Sequence, residues 1–154
     1  MDATAQLTML GRAALATVLT FAIGLEREYR GKSAGERTFA LLGLGAASFT
    51  ASAALFLGVD GAGRVIQGVV AGMGFLGAGV IFRRPELDVQ GLTTAAGAWS
   101  AAAIGVVIGL GGYLAGALVT GLVLVILELG QIPVLRKARE VTPDPSPPPP
   151  EGDA

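Results

Sequence analysis

The sequence predicts an all-α fold, a polytopic membrane bundle of about five transmembrane helices with glycine-rich packing. Of the 154 residues, 52% are apolar and 15% are charged, which is too little charge to cover a globular surface in water. The run from Val89 to Leu127 has no charged residue over 39 positions, whereas one crossing needs about 20. The 24 glycines are typical of helices that pack closely in lipid. The lipid bilayer is therefore the expected surrounding of the chain.

Three apolar segments precede the uncharged run, and each is long enough to cross the hydrocarbon layer. The first is Ala3–Leu25, which only Arg12 interrupts, and the others are Phe39–Leu57 and Val65–Phe82. Charged residues separate the three segments, so we expect three separate helices.

The uncharged run itself has to contain two helices, because a single helix of that length would extend about 58 Å. Glycines at positions 109, 111 and 112 supply the backbone freedom that a tight interhelical turn requires. We therefore expect helix four over Leu92–Leu110 and helix five over Tyr113–Leu129. Five crossings put the two termini on opposite sides of the membrane.

Basic residues orient these crossings. Nine Lys and Arg residues fall on one predicted face, whereas only Arg64 falls on the other and Arg12 lies inside helix one. Because basic loops stay in the cytoplasm, we expect the N-terminus outside and the C-terminus in the cytoplasm. The nine are Arg27, Arg30, Lys32, Arg37, Arg83, Arg84, Arg136, Lys137 and Arg139.

The composition changes near the C-terminus and predicts two parts. We expect a transmembrane domain over residues 1–135 and a disordered, proline-rich cytoplasmic tail over residues 136–154. The segment from Val141 to Ala154 holds six of the eight prolines together with three acidic residues. Such a composition cannot bury enough apolar surface to fold.

Helix three is unusually rich in glycine, above all at four positions. One interpretation is that these glycines are packing surfaces, within one bundle or between the subunits of a homo-oligomer, with a dimer favoured. The other is that they line a pathway in which exposed backbone carbonyls coordinate an ion, and helix three is then a candidate for a broken helix. The four positions are Gly72, Gly74, Gly77 and Gly79.

Carboxylates gather at the predicted cytoplasmic edge of helices one and two. Glu26, together with Glu28 or Glu36, could form an oxygen site for Mg²⁺, which needs only one or two carboxylates because it keeps most of its waters. Glu26 is the candidate metal ligand. The alternative is a cluster of salt bridges that fixes the geometry of the loop. The expected charge partners are Arg27, Arg37 and Arg83.

Other polar residues lie inside or at the ends of the predicted helices. Arg12 could extend outward to the membrane surface or pair with a polar group such as Gln67 of helix three. Thr93 and Thr94 are expected to cap the start of helix four.

The absence of Cys and His excludes several classes of function. Disulfides, thiolate nucleophiles, zinc sites and histidine bases are all ruled out, and no buried acid pair is evident, so we do not expect an enzyme. We expect no cofactor other than Mg²⁺ as a ligand or substrate. Nucleic acid is not an expected partner, because a bilayer surface accounts for the basic residues.

Four ordered blocks of sequence resemble the membrane domain of the MgtC/SapB family. The blocks are Gly24–Glu28 (GLERE), Gly35–Thr38 (GERT), Gly72–Ile81 (GMGFLGAGVI) and Gly91–Ala96 (GLTTAA). The resemblance covers about residues 7–129. It implies a bacterial inner-membrane protein that is linked to magnesium limitation and, in pathogens, to survival in macrophages.

The resemblance leaves two functions open. Family members are often labelled magnesium transporters, which implies transport or homeostasis of a divalent cation. The best-known virulence members are instead regulators that bind another membrane complex, the F-type ATP synthase. Longer members continue into a soluble cytoplasmic domain, so this chain is expected to be a short form. Virulence members also carry Asn at the position of Thr93 and Cys at that of Ser100, so their virulence role is not expected here.

Overall fold

The computed structural model describes residues 2–84 and 87–129, and within 82–89 it describes the backbone only. The predicted tail over residues 136–154 lies outside this part. Residues up to Leu124 form one compact unit. A second unit begins at Val125, and its described residues form the last turns of a helix.

Five helices account for most of the described chain, as the sequence predicts. Four of them are long and apolar enough to cross a membrane, and the fifth is an apolar helix of 17 residues, at the lower limit for a crossing. The fold class is thereby confirmed as a polytopic helical bundle. The helices are α1 (Ala3–Tyr29), α2 (Glu36–Phe56), α3 (Gly58–Val80), α4 (Leu92–Gly109) and α5 (Tyr113–Leu129).

The ends of α3 differ from the prediction. The helix begins at Gly58, well before the predicted Val65, because charged residues mark the edge of the hydrocarbon layer and not the end of a helix. It stops at Val80, because an antiparallel hairpin of β1 (Phe82–Arg84) and β2 (Leu87–Gln90) follows, which the sequence did not predict.

The core of the described bundle lies between α1, α2 and α4, and most of its buried apolar residues are alanines. A Cβ atom built on Gly105 of α4 would lie 2.8 Å from Ala46 Cβ of α2, and one built on Gly109 would lie 2.8 Å from Thr50 Cβ. A Cβ atom on Gly24 of α1 would lie 2.5 Å from the Cα atom of Glu36. The helices therefore approach so closely that a methyl group does not fit between them.

The prediction that helix three is broken is wrong, since α3 is continuous from Gly58 to Val80. Each glycine in a helix costs about 1 kcal/mol relative to alanine, whereas each unpaired backbone group in lipid costs several kcal/mol, so an intact helix is favoured. The four glycines also do not pack inside the bundle. A Cβ atom on Gly77 would only just reach Ala95, at 4.0 Å, and Gly72, Gly74 and Gly79 face open space.

The tight contact of α4 with α2 predicts a large effect for a small substitution. Gly105→Ala should lower the free energy of unfolding by about 1–3 kcal/mol, because the new methyl group overlaps Ala46. The measurement is the thermal unfolding midpoint of the purified protein in detergent. The matched control is Gly11→Ala, because a Cβ atom on Gly11 of α1 has no described atom within 4 Å. Equal midpoints for the two variants would contradict the packing described above.

Candidate functional site at the charged end of α1

The candidate site lies where α1 ends and α2 begins. Gly31, at φ +63°, ends α1 in a Schellman motif: its N–H donates to Glu28 O at 2.9 Å and the N–H of Lys32 donates to Arg27 O at 3.0 Å. This turn brings the last turn of α1 beside the start of α2. Gly31 was not among the predicted site residues, although a glycine directly after a charged helix end is a known stop signal.

Arg27 is the centre of the site, because its side chain is 2% exposed. Both carboxylate oxygens of Glu26 accept from it: Nε donates to Oε2, and Nη2 donates to Oε1 at 2.5 Å. Such a two-point pair between a guanidinium and a carboxylate is strong and fixes the geometry of both groups.

Glu26 is shared with a second arginine. Its side chain is 10% exposed, and Oε1 lies 3.5 Å from Nε of Arg30, one helical turn further along α1. Two guanidinium groups thus surround one carboxylate at the edge of the bundle. A buried charge of this kind is tolerated only because it is paired.

The three predicted carboxylates have different surroundings. Glu28 lies against Gly35, the residue before α2, where a Cβ atom would overlap its Oε2. The positive end of the α2 dipole favours a carboxylate there. Glu36 pairs with its neighbour Arg37 at 3.6 Å, and Arg37 is 93% exposed.

The expected partners Arg27 and Arg37 therefore pair with Glu26 and Glu36, while the side chain of Arg83 lies outside the described residues. Among the side chains that the structure describes, no group of three or more acidic residues is placed to hold a metal ion. What the arrangement can do chemically is hold a buried, two-point ion pair beside the start of α2.

Arg12 has partners that the sequence did not predict. Its Nη1 donates to the carbonyl oxygen of Gly109 at 2.8 Å, and its Nε donates to the hydroxyl of Tyr113 at 3.3 Å. The alternative in which Arg12 pairs with Gln67 of α3 is wrong, because its guanidinium bonds to Gly109 and Tyr113 instead. The last carbonyl groups of α4 carry partial negative charge and lack helical partners, so they attract the guanidinium more than the surface does.

The predicted cap of helix four is also wrong. Gly91, at φ +92°, occupies the N-cap position, and no side chain caps α4. The helix begins at Leu92, so Thr93 and Thr94 lie one and two residues past the first helical position. Thr93 is exposed and Thr94 is buried. The hairpin before α4 needs the positive φ that glycine adopts readily.

The ion pair makes a prediction about stability. Glu26→Gln should lower the free energy of unfolding by about 3 kcal/mol, because it leaves the buried Arg27 guanidinium without its carboxylate. Thermal unfolding in detergent measures this. Adding Arg27→Met to Glu26→Gln should restore most of the loss, whereas Arg37→Gln, the control, should change little because Arg37 is exposed. A double variant as unstable as Glu26→Gln alone would contradict the assignment.

Comparison with known proteins gives several relatives. The chain is 44% identical over 126 residues to YhiD of Escherichia coli (strain K12), which is named as a candidate magnesium transporter; the match covers 77% of this chain and 58% of YhiD. It is 47% identical over 98 residues to protein MgtC of Salmonella typhimurium (strain LT2), covering 64% of this chain and 42% of that protein. Protein MgtC of Brucella abortus (strain 2308) is 46% identical over 89 residues, covering 58% and 37%.

The chain thus spans less than two thirds of the length of these relatives. No solved structure matches it. Residues 13–133 match the sequence profile of the MgtC family, and this range contains the ion pair, the Schellman turn and all of the close glycine contacts of the core. On this match, and on identities of 44% and above to its named members, the chain belongs to the MgtC family.

Proposed function

We propose that the chain acts in magnesium homeostasis in the bacterial inner membrane, as a non-catalytic regulator of another membrane complex and not as a channel for the ion. The magnesium link rests on the family and on the name of its relative YhiD. We choose regulation over transport because Glu26, the candidate carboxylate nearest to the bundle, is already paired with Arg27.

The closed core supports this choice. Gly43 of α2 lies directly against Thr20 of α1, and Gly105 of α4 lies against α2. The Thr20 hydroxyl donates to Ala16 O of its own helix at 2.8 Å. Mg²⁺ gives up its water shell reluctantly, so a conducting path needs room for a hydrated ion or many free oxygen atoms. The contacts between α1, α2 and α4 offer neither.

The charged end of α1 also supports regulation over transport. A cation that entered this site would have to displace two guanidinium groups from Glu26. Mg²⁺ would gain one carboxylate and leave Arg27 buried without a partner, which is unfavourable. The ion pair is better suited to fixing the last turn of α1 beside the start of α2, where a second membrane protein can recognise it. The F-type ATP synthase is our candidate for that complex.

The distribution of charges supports the orientation that we propose. We place the loop between α1 and α2 in the cytoplasm, because it carries Lys32 and is flanked by Arg30 and Arg37. The turn between α2 and α3 then lies outside, and so does the N-terminus.

Cysteine labelling tests this orientation, because the chain contains no natural Cys. A membrane-impermeant maleimide should label Val59→Cys in intact spheroplasts, since Val59 is 89% exposed at the start of α3. Ser33→Cys, in the exposed loop after α1, should react only after the membrane is opened. The reverse pattern would mean that the chain is inserted the other way round.

Magnesium flux separates regulation from transport. Proteoliposomes that contain the chain and a magnesium-sensitive dye should show the same influx as protein-free liposomes. In a strain that lacks the gene, the wild-type chain and Arg37→Gln should restore growth at low magnesium. Glu26→Gln with Arg27→Met should not, although it reaches the same level in the membrane. A magnesium influx that this double variant abolishes would overturn regulation in favour of transport.

A further inference from the structure

The outward face of α3 differs chemically from that of α1. On α1, six of the eight exposed residues between Leu7 and Leu25 are large and apolar, as expected beside lipid chains. On α3, nine of the twelve exposed residues between Gly63 and Gly79 are glycine, alanine, arginine or glutamine. This face offers lipid little to pack against, and it exposes polar groups.

Two of these polar groups lie well inside the helix. Arg64 and Gln67 are exposed, about 9 Å and 13 Å along α3 from its start at Gly58. Arg64 lies at the predicted edge of the hydrocarbon layer, and Gln67 lies three residues further in, where a polar side chain usually faces protein or water. The outward face of α3 therefore fits a protein neighbour better than a lipid one.

A groove and a protruding side chain lie side by side on this face. The groove, of about 530 Å³, separates α2 from α3 and is lined by apolar side chains and by glycines, including Gly45, Gly68 and Gly72. Phe75 projects from α3 beside it and is 82% exposed. The groove has ample room for a phenyl ring, since pockets of about 300–1,000 Å³ hold drug-sized ligands.

The groove and Phe75 lie at the same depth in the membrane. The residues of the groove lining nearest to Phe75 are Leu76 and Met73. Together with Leu41 of α2 they form one end of the groove. In a dimer whose two-fold axis is normal to the membrane, equivalent residues lie at equal depth. Phe75 of each copy would then face the groove of the other copy, as a self-complementary interface requires.

The charges on this face are self-complementary too. Asp60 and Arg64 are one turn apart on α3 and both are exposed. Within residues 2–84 and 87–129, neither forms an ion pair. When two parallel copies of α3 meet, each carboxylate lies within reach of the other copy's guanidinium, and two equivalent ion pairs form.

From these three observations we infer that the α3 face, with its groove, binds a second copy of this chain. Gly68 and Gly72 allow the two α3 helices to approach, Phe75 enters the groove of the other copy, and Asp60 and Arg64 pair between copies. The glycines of α3 that do not pack inside the bundle thus pack between bundles.

Disulfide formation tests this surface, because the chain has no Cys of its own. Gly72→Cys should give a covalent dimer in native membranes under mild oxidation, and the position tolerates a side chain because it faces open space. The control is Val18→Cys, because Val18 is 65% exposed on α1 and lies near the depth of the groove. This depth follows from Thr20, two residues away, which contacts Gly43. The control variant should stay monomeric. Equal yields for the two variants would overturn the inference.

A second variant separates dimer formation from folding. Gly72→Leu should lower the dimer fraction about tenfold or more, measured by subunit counting in dilute bilayers, and leave the thermal midpoint of the monomer unchanged. A dimer fraction equal to that of the wild type would overturn the inference. So would a photo-crosslinker at position 72 that captures a different protein, the chain's own C-terminal segment or only phospholipid.

Discussion

The close approach of backbones in the core of α1, α2 and α4 determines the rest of the structure. Lipid offers no hydrophobic gain for pressing helices together, so attraction has to come from atoms at van der Waals distance. Gly24, Gly43, Gly105 and Gly109 remove the side chains that would hold the helices apart. The fixed core sets the position of the α1 end that carries the ion pair, beside the start of α2, and it leaves α3 at the margin with its outward face available.

Two arginines of α1, Arg12 and Arg27, are paired with groups that lie at helix ends. Arg27 binds a carboxylate beside the start of α2, and Arg12 binds the last carbonyl groups of α4. Helix ends carry unpaired backbone groups and partial charges, so they are the natural places for charge at the edge of a membrane. The two arginines hold opposite ends of the bundle and leave the glycine-packed middle without charge.

Helix number and position could be predicted from the sequence, because uncharged length is set by bilayer thickness. The bounds of α4 and α5 agree with the prediction to within one residue. The hairpin after α3 could not be predicted, since its strands are three and four residues long. At the site, the sequence left two alternatives, a Mg²⁺ site and a cluster of salt bridges. The pairing of Glu26 with Arg27 belongs to the second. The partners of Arg12 were not foreseen, because Gly109 and Tyr113 are about 100 positions away and offer a carbonyl and a phenol, not a charge.

The bond from Arg12 to Gly109 has a consequence for how the protein is made. Its two residues are 97 positions apart, so α1 enters the bilayer long before its acceptor is synthesised. An arginine at the centre of an inserting helix costs about 2.5–3.5 kcal/mol, which is an upper bound for Arg12 because it lies in the first half of α1; until α4 arrives, α1 is held by its apolar residues and by its contacts with α2. The bond that Arg12 makes in the finished bundle can therefore form only after α4 has been synthesised.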